Sequence, residues 1–197
     1  NALLDRVVRP WVRLFGRPRS AFHLCGFTGL ALAISLALGL AASAGRSPWV
    51  MAAVILSAMG TFLLLAFLTR LVLGREELIY YHQEVPVLLV AARLLWLLDQ
   101  PVWPYLDFTV LGVGAFLVAG RVGCFMVGCC HGTPHRWGVR YRQEHAAAGF
   151  TPYYVGVRLL PIQLVEAAWV LVVVVVGAAM VVGGRLFGEA LAWYVVV

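Results

Sequence analysis

Residues 161–182 read PIQLVEAAWVLVVVVVGAAMVV, a run in which Glu166 is the only charged side chain. A helix rises about 1.5 Å per residue, so this run is long enough to cross roughly 30 Å of hydrocarbon. Further apolar stretches cover residues 22–44, 49–69, 85–98 and 106–127, and residues 189–197 turn apolar again. Because barrel strands are shorter and alternate in polarity, the predicted fold class is all-α: a polytopic membrane bundle of about six to seven transmembrane helices, the last one cut short.

Composition leads to the same class. Hydrophobic residues make up 62% of the 197 residues and charged residues 12%, with 15 Lys+Arg against 9 Asp+Glu and a net charge of +6. Such a chain has too little charge to be disordered and too much apolar surface for a soluble domain of this size. The basic excess predicts contact with anionic lipid head groups and the membrane, and no binding of nucleic acid.

We expect one integral membrane domain over residues 1–197, with a basic juxtamembrane arm at 1–21 and a long polar loop at 128–160. The stretch at 85–98 is short and contains Arg93, so it either forms a short buried span or extends back through residues 80–84. The chain starts without Met and ends nine residues into an apolar stretch, which predicts a fragment. Long connections are uncommon unless they carry function, so the chemistry is expected at 128–160 and in nearby spans.

Arg121 is the first candidate for chemistry, because an arginine inside an apolar helix is costly and usually functional. The glycines at positions 120, 123 and 128 let a neighbouring helix or a lipid head group approach closely. A guanidinium with cleared space beside it suits a phosphate, which it can grip with two hydrogen bonds. The alternative is that Arg121 extends to the membrane interface.

Gln163 and Glu166 lie three residues apart and therefore share one helix face. A glutamate at this depth needs a partner or a proton, and the sequence leaves a structural and a catalytic ion pair equally open. His82 begins the short span, where a solvated or capping role is the plain interpretation. Asp107 opens the 106–127 span, and a negative charge there complements the helix dipole.

Cys124, Cys129, Cys130 and His131 invite a metal-binding interpretation. Their spacing, C-x4-C-C-H, does not match zinc sites, which favour two to four residues between the first pair of ligands. Redox chemistry is a second alternative, since thiols near Arg121 can become acidic and reactive. The prediction is packing or lining of a lipid site, with no metal and no cofactor.

Residues 120–132 read GRVGCFMVGCCHG, which resembles the signature of prolipoprotein diacylglyceryl transferases, Gly-Arg-x-Gly-Asn-Phe-x-Asn-x-Glu-x-x-Gly. The flanking features are similar in order: His82 and Asp107 upstream, and a Pro-x-Gln-Leu-x-Glu run at 161–166 downstream. The resemblance covers roughly residues 70–197. Cys124 and Cys129 stand where the signature has Asn and Glu, so the chain is a divergent variant.

The resemblance implies an enzyme of the bacterial inner membrane that moves diacylglyceryl from phosphatidylglycerol to the lipobox cysteine of a lipoprotein precursor. By this resemblance Arg121 would stabilise the leaving phosphate, His82 would take the thiol proton, and Glu166 would orient its neighbours. The other implied substrate-binding residues are Gly120, Gly123, Cys124, Gly132, Gln163 and Asp107. Open alternatives are another phospholipid-dependent transferase with a different acceptor, and a non-catalytic thiol or metal sensor.

Orientation in the membrane is predicted in opposite directions by two arguments. With the N-terminus inside, the cytoplasmic loops would hold nearly all loop arginines, as the positive-inside rule prefers. The resemblance implies instead that the signature faces the outer side, where lipoprotein precursors emerge. Arginines that bind lipid phosphate would distort the count, so the prediction follows the resemblance.

Overall fold

The computed structural model describes residues 1–14, 16–73 and 80–197, with the side chains of residues 73 and 80–82 outside the described set. Most of the chain is helical. The helices are α1 (Ala2–Val7), α2 (Ala21–Ser43), α3 (Pro48–Leu73), α4 (Tyr80–Leu97), α5 (Val102–Val127), α6 (Gln143–Ala146), α7 (Ile162–Val182) and α8 (Glu189–Val196). Two antiparallel pairs accompany them, β1 (Trp11–Leu14) with β2 (Arg17–Ser20) and β3 (Pro134–Arg140) with β4 (Arg158–Leu159).

Four described helices are long and apolar enough to cross a membrane: α2, α3 over residues 48–72, α5 and α7. The prediction of an all-α membrane bundle is therefore confirmed, and the chain is a multi-pass membrane protein. The predicted number of six to seven spans stays a prediction. The stretch at 85–98 extends back to Tyr80 as helix α4, in which the Arg93 guanidinium lies 4.3 Å from the centre of a Trp96 ring.

The chain divides into two compact units, and the first contains residues 1–32 and 114–172. Its buried core gathers Val8, Phe125, Val139, Tyr141, Phe150 and Leu159. The polar connection at 128–160 folds over this core as β3, α6, a 3₁₀ turn at Pro152–Tyr154 and β4. Much of the segment 128–160, which the sequence predicted to be a polar loop, therefore forms regular secondary structure.

The basic arm is attached to that connection through Asp5. One Asp5 carboxylate oxygen accepts the backbone N–H of Arg140 at 2.8 Å, and the other lies 2.9 Å from a guanidinium nitrogen of Arg158. Burial opposes ionisation of Asp5, but the hydrogen bonds from Arg158 and Arg140 outweigh it and lower the pKa of the carboxyl. The Asn1 side chain adds a hydrogen bond from the Gly138 N–H at 2.9 Å.

The second unit contains residues 33–113 and 173–197. Its buried core is aliphatic and aromatic, with Met51, Leu95, Tyr105, Phe108 and Leu111 among its largest members. Small residues allow close helix contacts here: a Cβ at Gly112 would lie 3.1 Å from the Ala33 carbonyl oxygen. The prediction of a single domain over the whole chain stays a prediction.

Candidate functional site

Arg121 and Glu166 form an ion pair within the first unit. Arg121 lies on α5, one and a half turns before its end, and Glu166 lies near the start of α7. The Nε atom of Arg121 is 3.0 Å from Oε2 of Glu166, and the two side chains are 28% and 42% exposed. An ion pair is therefore present and partly exposed, and whether it is structural or catalytic stays open.

The glycines near Arg121 in the sequence differ in how much space surrounds them, as shown by the atoms that an added Cβ would meet. A Cβ at Gly123 would lie 3.1 Å from Cβ of Cys25 and 3.2 Å from the Phe22 ring, so α2 fills that space. A Cβ added at Gly128 would contact the rings of Phe150 and Tyr141. At Gly120 no other described residue lies within 4 Å of the added atom. Of these three glycines, Gly120, the residue before Arg121 on α5, is therefore the one at which an added side chain would meet open space.

Gln163 holds the turn that follows α5. Its side chain is fully buried, and Nε2 donates to the carbonyl oxygen of Cys129 at 2.8 Å. Tyr141 secures the same region, because its hydroxyl donates to the Phe125 carbonyl at 3.0 Å. Burial raises the pKa of Tyr141, so its hydroxyl stays a donor at neutral pH. The sequence analysis missed Tyr141, since a lone tyrosine in a polar connection gives no distinctive pattern.

Gly132 allows two segments of backbone to meet. Its N–H donates to the carbonyl oxygen of Leu160 at 3.2 Å, and a Cβ at this position would lie 2.6 Å from that same oxygen. A glycine is required by this approach. The contact explains Gly132 without a substrate, and its predicted part in substrate binding stays a prediction.

Three thiols converge beyond the end of α5. The Sγ atoms of Cys124, Cys129 and Cys130 all lie within 4.8 Å of one another. A hydrogen bond with Cys124 raises the pKa of Cys129, while burial raises that of Cys130. Their spacing gave no zinc pattern, yet the fold brings them together.

The comparison with protein families decides the identity. The sequence model of the family described as prolipoprotein diacylglyceryl transferase matches residues 85–197. This chain belongs to that family. Searches among curated proteins and among solved structures gave no match.

The match confirms the resemblance seen in the sequence, and the family is one of transferases. Members of this family act on lipoprotein precursors with a phospholipid donor. The matched residues include Arg121, Gln163 and Glu166. His82 precedes them; it lies in α4, but its side chain is outside the described residues. Its predicted role as a base stays a prediction.

Asp107 is placed differently from the other predicted residues of this family member. It lies in the second unit and is fully buried. Its Oδ2 accepts the N–H of Gly188 at 3.0 Å, and its Oδ1 accepts that of Leu191 at 2.8 Å. The sequence analysis assigned Asp107 to the dipole of its own helix, whereas the carboxylate caps the first turn of α8. This geometry favours a structural role over the predicted substrate binding.

Proposed function

We propose that this protein moves a diacylglyceryl group from phosphatidylglycerol to the lipobox cysteine thiol of a lipoprotein precursor, in the bacterial inner membrane. The observation that carries the proposal is the partly exposed Arg121–Glu166 pair, with open space at the preceding residue of α5, Gly120. A cation in an apolar helix with room for a head group fits the phosphate of an anionic phospholipid.

The ion pair with Glu166 leaves the two terminal nitrogens of the Arg121 guanidinium available to bind a phosphate. Glu166 contacts Nε of Arg121, and no other described residue is paired with the two terminal nitrogens. Those nitrogens form the planar fork that grips a phosphate with two parallel hydrogen bonds. Glu166 therefore orients the fork, and its charge limits the cost of keeping an arginine at this depth.

The reaction is a displacement at a glycerol carbon. The acceptor thiol loses its proton to a base, for which His82 is the candidate from the sequence, and the sulfur forms a bond to the carbon. The carbon–oxygen bond to the phosphate breaks, and glycerol phosphate leaves with the additional negative charge. Arg121 stabilises that charge in a site with little water, where such stabilisation is strongest.

A second transferase function with a different acceptor is favoured by one feature. Cys124 and Cys129 occupy positions where the family signature has Asn and Glu. Cys124 lies one helical turn after Arg121, and the Sγ atom of Cys129 lies within 4.8 Å of that of Cys124. A change in these side chains leaves the phosphate site intact while altering what surrounds it. The same donor could then serve another thiol or an amine.

The test measures transfer of labelled diacylglyceryl from phosphatidylglycerol vesicles by the purified protein. The acceptors are a lipobox peptide and its Cys→Ser counterpart. We expect transfer to the cysteine peptide only, with a large loss for Arg121→Lys, which keeps the charge but loses the planar fork. Arg185→Lys, at an exposed position outside the matched pair, is the control and should transfer normally. Absence of transfer by the wild type would rule out the proposal.

Transfer to a different acceptor with the same dependence on Arg121 would support the second function. Normal transfer by Arg121→Lys and Arg121→Ala would show that the phosphate is bound elsewhere.

A further inference from the structure

The convergence of the three thiols has a simple backbone cause. Helix α5 ends at Val127, where the Gly128 N–H still donates to the Cys124 carbonyl at 2.8 Å. Gly128 then takes φ +90° and Cys130 takes φ +52°, both in the left-handed region. The chain reverses within a few residues, so Cys129 and Cys130 return over the last turn of α5. A positive φ at a non-glycine residue is uncommon and points to a functional constraint.

We propose that Cys124, Cys129 and Cys130 bind one Zn²⁺ ion through three thiolates, with the fourth coordination position open to an external thiol. Zinc–sulfur bonds of about 2.3 Å place tetrahedral sulfur ligands about 3.8 Å apart. The three Sγ atoms already lie within 4.8 Å of one another. Side-chain rotations that shorten the longest Sγ–Sγ distance by about 1 Å would bring them to the tetrahedral spacing. Thiolates are the ligands that zinc and other soft ions select.

The surroundings suit an ion with three thiolates. Such a centre carries one negative charge in excess, and Arg121, one helical turn before Cys124 on the same face and paired with Glu166, is the nearby cation. The Cys129 carbonyl accepts the hydrogen bond from buried Gln163, which fixes the turn that presents two of the ligands. Outer contacts of this kind orient metal ligands in known sites.

The fourth position has no protein ligand among the residues that the structure describes. The neighbouring His131 is held elsewhere: its ring lies against Phe150 and Tyr154, at centroid distances of 5.4 and 5.0 Å, and its Nδ1 is 3.0 Å from the Gly132 carbonyl oxygen. Cys130 is exposed, so the open side of the cluster is reachable. Zinc sites with three protein ligands keep the fourth for water or substrate.

A thiol is the ligand class that fits the open position. On binding, the thiol would give its proton to the base of the proposed reaction and become a zinc-bound thiolate, which remains nucleophilic. That the incoming thiol is the acceptor cysteine rests on the proposed function. In that case the zinc-bound sulfur forms the bond to the glycerol carbon, the phosphate oxygen leaves with the electron pair, and the thioether product dissociates from zinc.

The first experiment measures metal content. The purified full chain is loaded with ZnCl₂ under reducing conditions, desalted and analysed for zinc, and a parallel sample is loaded with Co²⁺ to record sulfur-to-cobalt absorption. We expect about one ion per chain in the wild type and in Cys25→Ser, the control cysteine, which is not part of the cluster. The triple variant C124S/C129S/C130S should lose the ion. Zinc below stoichiometry in the wild type, or unchanged in the triple variant, would overturn the proposal.

Cys130→Ser guards against a folding failure of the triple variant, since Cys130 is exposed. It should keep its helical circular dichroism while the sulfur-to-cobalt absorption weakens; unchanged absorption would contradict the assignment.

The second experiment adds the lipobox peptide to the cobalt form. A change in the visible d–d bands with the cysteine peptide, absent with its serine counterpart, supports binding of the acceptor at the open position. No change refutes that binding, while the metal content tests the three-thiolate site separately. Neither readout needs transfer, so failure of the proposed function is distinguishable.

Discussion

Asp107 and Glu166 are carboxylates within long apolar helices, one in each unit, and their surroundings differ. The Glu166 side chain is 42% exposed, and among the described residues its ion-pair contact is with Arg121. Asp107 is fully buried, and each of its two oxygens accepts a backbone N–H of the α8 terminus. A carboxylate whose acceptors are saturated holds two segments together, whereas one that is reachable and singly paired is available for substrate. The difference separates a structural from a functional charge.

The largest expected effect is on the partly exposed pair of Arg121 and Glu166. We expect Arg121→Ala to lower the rate of diacylglyceryl transfer about 100- to 1,000-fold, because it removes the charge that stabilises the leaving phosphate. The unfolding midpoint should change little, since the pair is partly exposed. Transfer assays and denaturant unfolding in the same detergent separate the two. A large loss of stability would move Arg121 into the structural class with Asp107.

The buried carboxylate should behave in the opposite way. Asp107→Ala leaves the N–H groups of Gly188 and Leu191 without their acceptor, at a cost of about 1–3 kcal/mol for each unsatisfied group. Asp107→Asn keeps one acceptor oxygen and should cost less. The free energy of unfolding, followed by circular dichroism, measures both. Normal stability in Asp107→Ala together with lost transfer would restore the predicted role in substrate binding.

Substitutions of two glycines that flank Arg121 on α5 test how much room this part of the helix needs. Gly120→Ala adds a methyl group into open space, so stability should be retained while head-group access and the transfer rate fall about tenfold. Gly123→Ala meets Cys25 and Phe22 on α2 and should cost about 1–3 kcal/mol of stability. Normal transfer by Gly120→Ala would show that the head group approaches Arg121 from another side.

The smallest effect concerns Asp5, whose lowered pKa predicts a pH dependence. Both states are ionised at neutral pH; below about pH 4 the unfolded chain takes up the proton first, so stability is lost as pH falls through the folded pKa. The pair is partly exposed, so the loss should be at most about 1 kcal/mol. Acid unfolding of Asp5→Asn against the wild type measures it, and identical acid curves would contradict the pairing.

The sequence predicted the spans because long apolar runs have one solution in lipid. It also singled out Arg121 and Glu166, since charges are rare at such depth. It could not predict the three-thiol cluster, which depends on the left-handed backbone at Gly128 and Cys130 rather than on ligand spacing. It could not predict the partner of Asp107 either, because the capped helix begins some 80 residues later in the chain.

The contact of Asp5 with Arg140 and Arg158 has a topological consequence. The arm and the polar connection touch, so they lie on one side of the membrane, and an even number of crossings must separate them. Helices α2, α3 and α5 supply three. On this parity argument we expect α4, with Arg93 and Pro86 inside it, to cross as the fourth. An impermeant label that reaches Gly149→Cys on intact cells would then place Asn1 on the outside as well.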